Sequence, residues 1–300
     1  MKYSDEYKDC TLCPRECGVD RTCGAGVCGQ GSELVVARAA LHAWEEPCIS
    51  GERGSGTVFF SGCSLGCVYC QNHKISSSEV GKTVSVDRLV DIFFELEEQG
   101  AHNINLVTPS HFLPSVREAM EIARARNFNL PFVYNTSGYE KAESLRTLIG
   151  LVDVYLPDFK YADPSVAEKY SNARDYPECA MASLAEMVDQ QPKPSFDSDG
   201  MMTKGVIVRH LMLPCEYENS RQVIEYLAKT YSDKIYVSIM SQYTPVQKNE
   251  QYPNLNERVK RSQYERLIRY ATHLGIENGF IQDGQSAEES FIPDFDMQGV

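Results

Sequence analysis

Residues 61–72 read Ser61-Gly62-Cys63-Ser64-Leu65-Gly66-Cys67-Val68-Tyr69-Cys70-Gln71-Asn72. Three thiols stand at i, i+4 and i+7, directly after the apolar run Thr57–Ser61, whose pattern predicts a strand. Thiolates are the soft ligands that iron–sulfur clusters require. A cubane held by only three of them keeps one iron open to an external ligand. Half of a zinc site is the bland alternative, but structural zinc takes four protein ligands. The spacing therefore predicts that the first strand hands its following loop to a [4Fe–4S] cluster on Cys63, Cys67 and Cys70.

Outward from that loop, short apolar runs alternate with longer amphipathic ones. Strands are predicted at Thr57–Ser61, Asn103–Val107, Phe132–Asn135, Val152–Leu156, Gly205–Met212 and Ile235–Met240. Helices are predicted at Val86–Gln99, Leu113–Arg126, Tyr139–Ile149, Pro164–Tyr170 with Glu178–Gln190, Ser220–Tyr231 and Asn256–Leu274. Successive β-then-α units imply parallel strands with right-handed crossovers. Six are too few for a closed eight-strand barrel, so the expected fold is α/β, a partial (βα)6 TIM-like barrel over residues 51–300. Gln191–Lys204, with its Pro, Gly and Asp breakers, is expected to be an exposed loop. Residues 1–50 are rich in Cys and Gly and poor in long apolar patterns. They predict a small metal-binding module organised by something other than a core.

The chain carries eleven cysteines, all but Cys179 and Cys215 within the first 70 positions. The first ten residues contain no apolar stretch of signal-peptide type, and no run approaches the ~18 residues needed to span a membrane. These features point to a cytoplasmic protein whose clustered thiols serve metal or catalysis rather than disulfides. The formal net charge of −13 argues against a nucleic-acid partner. The acidic tail after Asp283 reads as a solvated end.

A second set of thiols, Cys10, Cys13, Cys17, Cys23 and Cys28, lies among Pro14, Gly18, Gly24, Gly26 and Gly29, which permit tight turns around a metal. Five candidates for four positions leave one to spare. Zinc, a second iron–sulfur cluster and free thiols remain open, although the spacing does not match ferredoxin runs. Cys179 and Cys215 read as packing.

CxxxCxxC with an aromatic before the last cysteine resembles the radical S-adenosylmethionine (SAM) superfamily. The stretch FFSGCSLGCVYCQN resembles its subgroup of pyruvate formate-lyase activating enzyme-like proteins. The resemblance continues through NLVTPSH (105–111), YNTSGYE (134–140), YLPDFKY (155–161), RHLMLP (209–214), SQYTP (241–245) and ENGFIQ (277–282). It implies reductive cleavage of SAM, giving methionine and a 5′-deoxyadenosyl radical, and hydrogen abstraction from a glycine of a glycyl-radical enzyme. It also implies a one-electron donor of flavodoxin or ferredoxin type. Radical modification of a small molecule or peptide is the alternative, and a non-catalytic iron–sulfur or redox sensor a third reading.

Chemistry in β/α barrels gathers at the C-terminal strand ends. After the proposed strands come Cys63, Thr108 to His111, Asn135 and Thr136, Asp158 and Lys160, Pro214 and Cys215, and Ser241 to Tyr243. Asp158 and Lys160 alternate along the strand exit and so share a face. By resemblance Tyr69 lies against the adenine, while Asn135, Thr136, Asp158, Lys160, Arg209 and Gln242 belong to the SAM site. The Gly-Gly-Glu that commonly grips SAM's amino group is absent, and Thr108 and Ser110 stand in its place. His111 reads as a structural histidine or an acid/base.

Overall fold

The computed structural model describes residues 2–245, 248–281, 293 and 295–300. The acidic stretch after Asp283 falls mostly outside them. The strands are β1 (Leu34–His42), β2 (Ser55–Phe60), β3 (Lys82–Val84), β4 (Ile104–Val107), β5 (Phe132–Thr136), β6 (Val154–Pro157), β7 (Ser195–Phe196), β8 (Met202–Leu211), β9 (Tyr236–Met240) and β10 (Gly279–Ile281). The helices are α1 (Pro47–Ser50), α2 (His73–Ser76), α3 (Val86–Glu98), α4 (Leu113–Ala125), α5 (Ala142–Arg146), α6 (Pro164–Ser171), α7 (Tyr176–Gln190), α8 (Tyr217–Tyr231) and α9 (Arg261–His273). The sheet runs β10-β9-β8-β6-β5-β4-β2-β1-β3, with β7 hairpinned onto β8. From β2 to β10 all neighbours are parallel. The six predicted βα strands are present, and the short β10 adds a seventh. Among the described residues β3 and β10 remain the two edges, so the barrel is open.

Alternation along each strand divides the core in two. Phe132, Tyr134, Tyr155, Val206 and Val208 face the helices. Val133, Val154, Leu156 and Ile207 share an inner cluster with Cys48 and Ile49 of α1. Because β1 is antiparallel to β2, the connection carrying α1 lies at the N-terminal ends of the parallel strands. It plugs that end with apolar side chains. On the outer layer α3 buries Leu89, Val90, Ile92, Phe93 and Leu96, and the Ser85 hydroxyl caps it by accepting from the Arg88 N–H at 3.0 Å. None of the described helices is long and apolar enough to cross a membrane.

Several expectations need correction. The helix predicted over 139–149 holds only as α5. Tyr139 stacks on Tyr176 and donates to Asp175, while the Glu140 side chain turns inward to Ser110 and Thr136, so these residues are taken before a helix can form. The helix predicted from Asn256 begins at Arg261, because Asn256 bonds back to Asn249 and closes a loop. The expected loop 191–204 contains β7 and the start of β8. Residues 34–50, read as part of the Cys-rich module, supply β1 and α1 to the sheet and its plug.

Candidate functional site

The strand ends enclose one cavity of about 240 Å³. The β2–α2 loop brings Cys63, Cys67 and Cys70 to one wall, and Tyr69 joins them. The loop turns tightly, with the Cys70 N–H donating to the Cys67 carbonyl at 3.1 Å. Ser171, at the end of α6, donates to the Cys67 sulfur at 3.1 Å. Burial pushes the Cys63 thiol up to about 12, and Cys67 and Cys70 push it further in the same direction. Three thiols crowded this way resist ionising together, and bound metal cations remove that resistance. Among the described residues no three His, Cys, Asp or Glu side chains converge on a point that one ion could occupy. A cubane asks for less convergence, because each thiolate takes its own iron. The donor set thus fits a three-thiolate [4Fe–4S] cluster.

Facing the thiols is a charged floor built from β4, β5, the exit of β6, β8 and the β1–α1 connection. The Asp158 carboxylate accepts from Lys160 Nζ at 2.6 Å and from Arg209 Nε at 3.1 Å. Arg209 also donates to Glu45 at 3.0 Å and to Asn135 Oδ1 at 2.5 Å. Glu45, delivered by the β1–α1 connection, accepts from Asn105 at 2.9 Å. Burial alone would raise the Asp158 pKa, but Lys160 and Arg209 outweigh it and hold the carboxyl below its usual range. Burial would likewise lower Lys160, yet Asp158 first and then Cys67 raise it to about 12. The floor is therefore a carboxylate between two permanent cations.

Tyr69, Thr108, Asn135, Thr136, Asp158, Lys160, Arg209 and Gln242 all line this cavity with the three cysteines. Ser110 does not. Its hydroxyl and that of Thr136 both donate to Glu140, a buried carboxyl that burial lifts to about 7 against the pull of those two bonds. Thr108 adopts φ +57°, a left-handed conformation uncommon outside glycine and often found at binding sites. The Tyr69 hydroxyl accepts from Tyr161 at 2.8 Å, and its ring meets Tyr170 and Tyr243 edge-on. His111 is buried beside the loop, with Nε2 2.7 Å from the Ser61 carbonyl. Burial lowers its pKa to about 3, so it stays neutral and structural. Cys179 and Cys215 lie outside the cavity lining.

Sequence reasoning missed Glu45, His42, Trp44 and Phe59, which close the cavity from the β1 side. Their signal is the apolar run Leu34–Leu41, which identifies a strand entering the fold just before them. It also missed Glu140, whose place in YNTSGYE near two strand-end hydroxyls is visible only in three dimensions.

The N-terminal cysteines pack against the outside of the cluster loop. Cys10, Cys13 and Cys28 are buried, Cys17 is half-buried and Cys23 is exposed; none forms a disulfide. Burial raises the Cys13 thiol to about 11, partly countered by a bond from the Arg15 backbone, with Glu140, Cys28 and Cys10 adding to the rise. The Cys63 N–H donates to the Cys28 carbonyl at 3.3 Å. Gly62 makes this approach possible: it sits at φ +89°, and a Cβ there would meet the Cys28 carbonyl at 2.7 Å.

Residues 57–203 match the family model of the radical SAM superfamily, so this stretch is a radical SAM domain. The family implies a [4Fe–4S] cluster, SAM and an enzyme working by SAM radical chemistry. An uncharacterized protein of Methanocaldococcus jannaschii is 27% identical over 280 residues, covering 90% of this chain and 76% of that protein. Among solved structures, methylornithine synthase (PylB) aligns with a TM-score of 0.53 at 14% identity, over 82% of this chain and 65% of the other. That likeness shows the fold. SuiB of Streptococcus suis, bound to its precursor peptide SuiA, aligns with a TM-score of 0.48 at 12% identity, over 74% and 46% of the two chains. This chain thus spans 65% and 46% of the lengths of those two proteins.

Proposed function

We propose that this chain, with its radical SAM domain over 57–203, abstracts a hydrogen atom from a backbone glycine of a partner polypeptide and so activates a glycyl-radical enzyme. When bound, the cluster and SAM supply the 5′-deoxyadenosyl radical; the protein supplies orientation and dryness. Cys63, Cys67 and Cys70 would hold the cluster. Asp158, kept ionised by its two cations, would accept from the ribose diol or the ammonium of SAM. Arg209 has donors committed to Asp158, Glu45 and Asn135, so its part is to fix the Asp158 and Asn135 side chains rather than to grip SAM itself. Thr108 and Thr136, which line the cavity, would offer acceptors to SAM's amino group, and Tyr69 would offer a ring to the adenine.

The observation that carries the chemistry is the convergence of the three thiols and that floor on one cavity. The choice of a polypeptide rests on the sequence resemblance and on space. At about 240 Å³, and open on one side, the cavity holds no more room than SAM itself would take. With SAM inside there is little enclosed room for a second bulky molecule. An extended backbone entering from the open side could present a Cα–H while most of it stays outside. Glycine suits the reaction because its radical is stabilised between amide nitrogen and carbonyl.

The test combines reduced enzyme, SAM and cell extract. A glycyl doublet in electron paramagnetic resonance on a partner protein is the expected result. Deoxyadenosine release driven only by the low-molecular-weight fraction would replace the polypeptide by a metabolite. No deoxyadenosine under any reducing condition would make the chain a sensor.

A further inference from the structure

Two of the N-terminal thiols flank a single glycine. A Cβ added at Gly26 would lie 3.4 Å from the Cys17 sulfur, 3.4 Å from the Cys28 sulfur and 3.4 Å from Arg21 Cδ. The Arg21 guanidinium reaches the Cys10 sulfur at 3.7 Å, and the Cys17 sulfur lies 3.9 Å from the Cys10 carbonyl. Cys13 is buried near Cys10 and Cys28. Cys23 is exposed, its sulfur 3.6 Å from the Asp20 carbonyl. The absence of a side chain at Gly26 therefore leaves room between the Cys17 and Cys28 sulfurs, and Arg21 and the Cys10 carbonyl tie Cys10 to the same corner. Among the described residues the local apolar cluster is small, Tyr7, Cys10 and Leu12 with Cys17 and Val19 packed against it, and Cys13 and Cys28 are buried outside it with no disulfide.

This module grips the catalytic loop. Arg15, between Cys13 and Cys17, donates to the carbonyls of Ser64 at 2.9 Å, Leu65 at 3.2 Å, Ser171 at 2.9 Å and Asn172 at 2.5 Å. Ser64 and Leu65 lie between Cys63 and Cys67, and Ser171 donates to the Cys67 sulfur. Cys28 accepts from the Cys63 N–H on the other side. Anything that fixes Cys13, Cys17 and Cys28 fixes both ends of that loop.

We propose that Cys10, Cys13, Cys17 and Cys28 form a second metal centre with four thiolate ligands, that Cys23 is not among them, and that this centre clamps the loop of Cys63. The ligand class is zinc or iron. Cys17 and Cys28 flank Gly26, and among the described residues no three ligating side chains meet at one point, so a single zinc would require rotation about Cα–Cβ bonds and an iron–sulfur cluster less of it. The proposal is independent of the substrate argued above.

The experiment uses the full chain with Cys63, Cys67 and Cys70 replaced by Ala, purified without oxygen, so that any remaining metal belongs to the N-terminal set. Elemental analysis should find about one zinc, colourless, or up to about four irons with a visible chromophore. Adding Cys17→Ser or Cys28→Ser should remove it, whereas Cys23→Ser should leave it. Metal-free protein, or equal loss in the Cys23 variant, overturns the assignment. Should the serine variants fail to fold, alkylation of the triple-alanine protein decides instead. Cys23 should label at once and the other four only after chelation; equal labelling of all five beforehand overturns the centre. Chelation should also speed amide exchange at residues 62–66 by on the order of tenfold, and unchanged exchange would remove the clamp.

Discussion

Asp158 holds two buried cations, and the consequences of removing its charge can be separated. Asp158→Asn preserves shape but leaves Lys160 without its anion and Arg209 with Glu45 alone. SAM affinity should fall by roughly 2–5 kcal/mol, about 30-fold or more, because a charged hydrogen bond is lost. Iron content should stay intact, since Asp158 touches none of the thiols in the hydrogen-bond network. Asn135→Ala should weaken SAM in the same direction, and unchanged binding in both would show that the floor is not the SAM site. Glu140 makes a different prediction. Its folded pKa, near 7, exceeds the 4.5 of an unperturbed Glu, so between those values the folded chain holds a proton that the unfolded chain has released. It therefore favours folding below pH 4.5 and loses that contribution as pH rises through 7. Glu140→Gln abolishes the titration. Relative to wild type, the variant should lose ~1.4 kcal/mol for each unit that the pH is lowered from 7 to 4.5, measured by urea unfolding of the apoprotein. A pH-independent difference would mean that Glu140 is ionised in the fold.

At the scale of elements, the β2–α2 loop is held by a side chain more than 45 residues away. Arg15 presents its planar fork to four carbonyls and also lies 5.2 Å above the Tyr139 ring. A lysine cannot reproduce that geometry. Arg15→Ala and Arg15→Lys should both release cluster iron to a chelator several-fold faster than wild type, with little change in helix content. A wild-type rate in Arg15→Lys would reduce the clamp to a point charge. This contact also marks where the sequence stops being legible. The six βα strands and the CxxxCxxC loop follow from local pattern: β-branched and aromatic runs for the strands, thiol spacing for the loop. So do Asn135, Asp158 and Lys160, because a strand exit is a local feature and chemistry collects there. β1 is hard to see in the sequence because Leu34–Leu41 directly follows a Cys-rich stretch. Glu45 and Glu140 were hidden for a deeper reason: each acts on partners far away in sequence or on another strand. The shortened helices show tertiary contacts at Tyr139 and Asn256 overriding a good helical pattern.

Across the whole molecule, two fully buried histidines, His111 and His210, are kept neutral by folding. Burial lowers His111 to about 3 and His210 to about 4, each from an ordinary 6.5. Above pH 6.5 both contribute their full stability; as pH falls through 6.5 toward 4 the unfolded chain takes up two protons that the folded chain refuses. Those two sites should destabilise the apoprotein by ~2.7 kcal/mol per pH unit in that window, before the opposing contribution of Glu140. Unfolding titrations of the Glu140→Gln variant at pH 7, 6 and 5 check this, and adding His210→Gln should flatten the slope by half. A profile without any slope there would show that the histidines are protonated in place. The same molecule is stitched by contacts remote along the chain: Arg209 to Glu45 spans 164 residues and Arg15 to Asn172 spans 157. During synthesis at ~5–20 residues per second, the Cys-rich stretch therefore waits roughly 8–30 s for the chain that will cover it. In that interval its thiols are open to whatever metal or oxidant the cell offers. For the proposed N-terminal centre, the order in which the ribosome releases this protein, as much as its final geometry, would then select the metal carried into the finished fold.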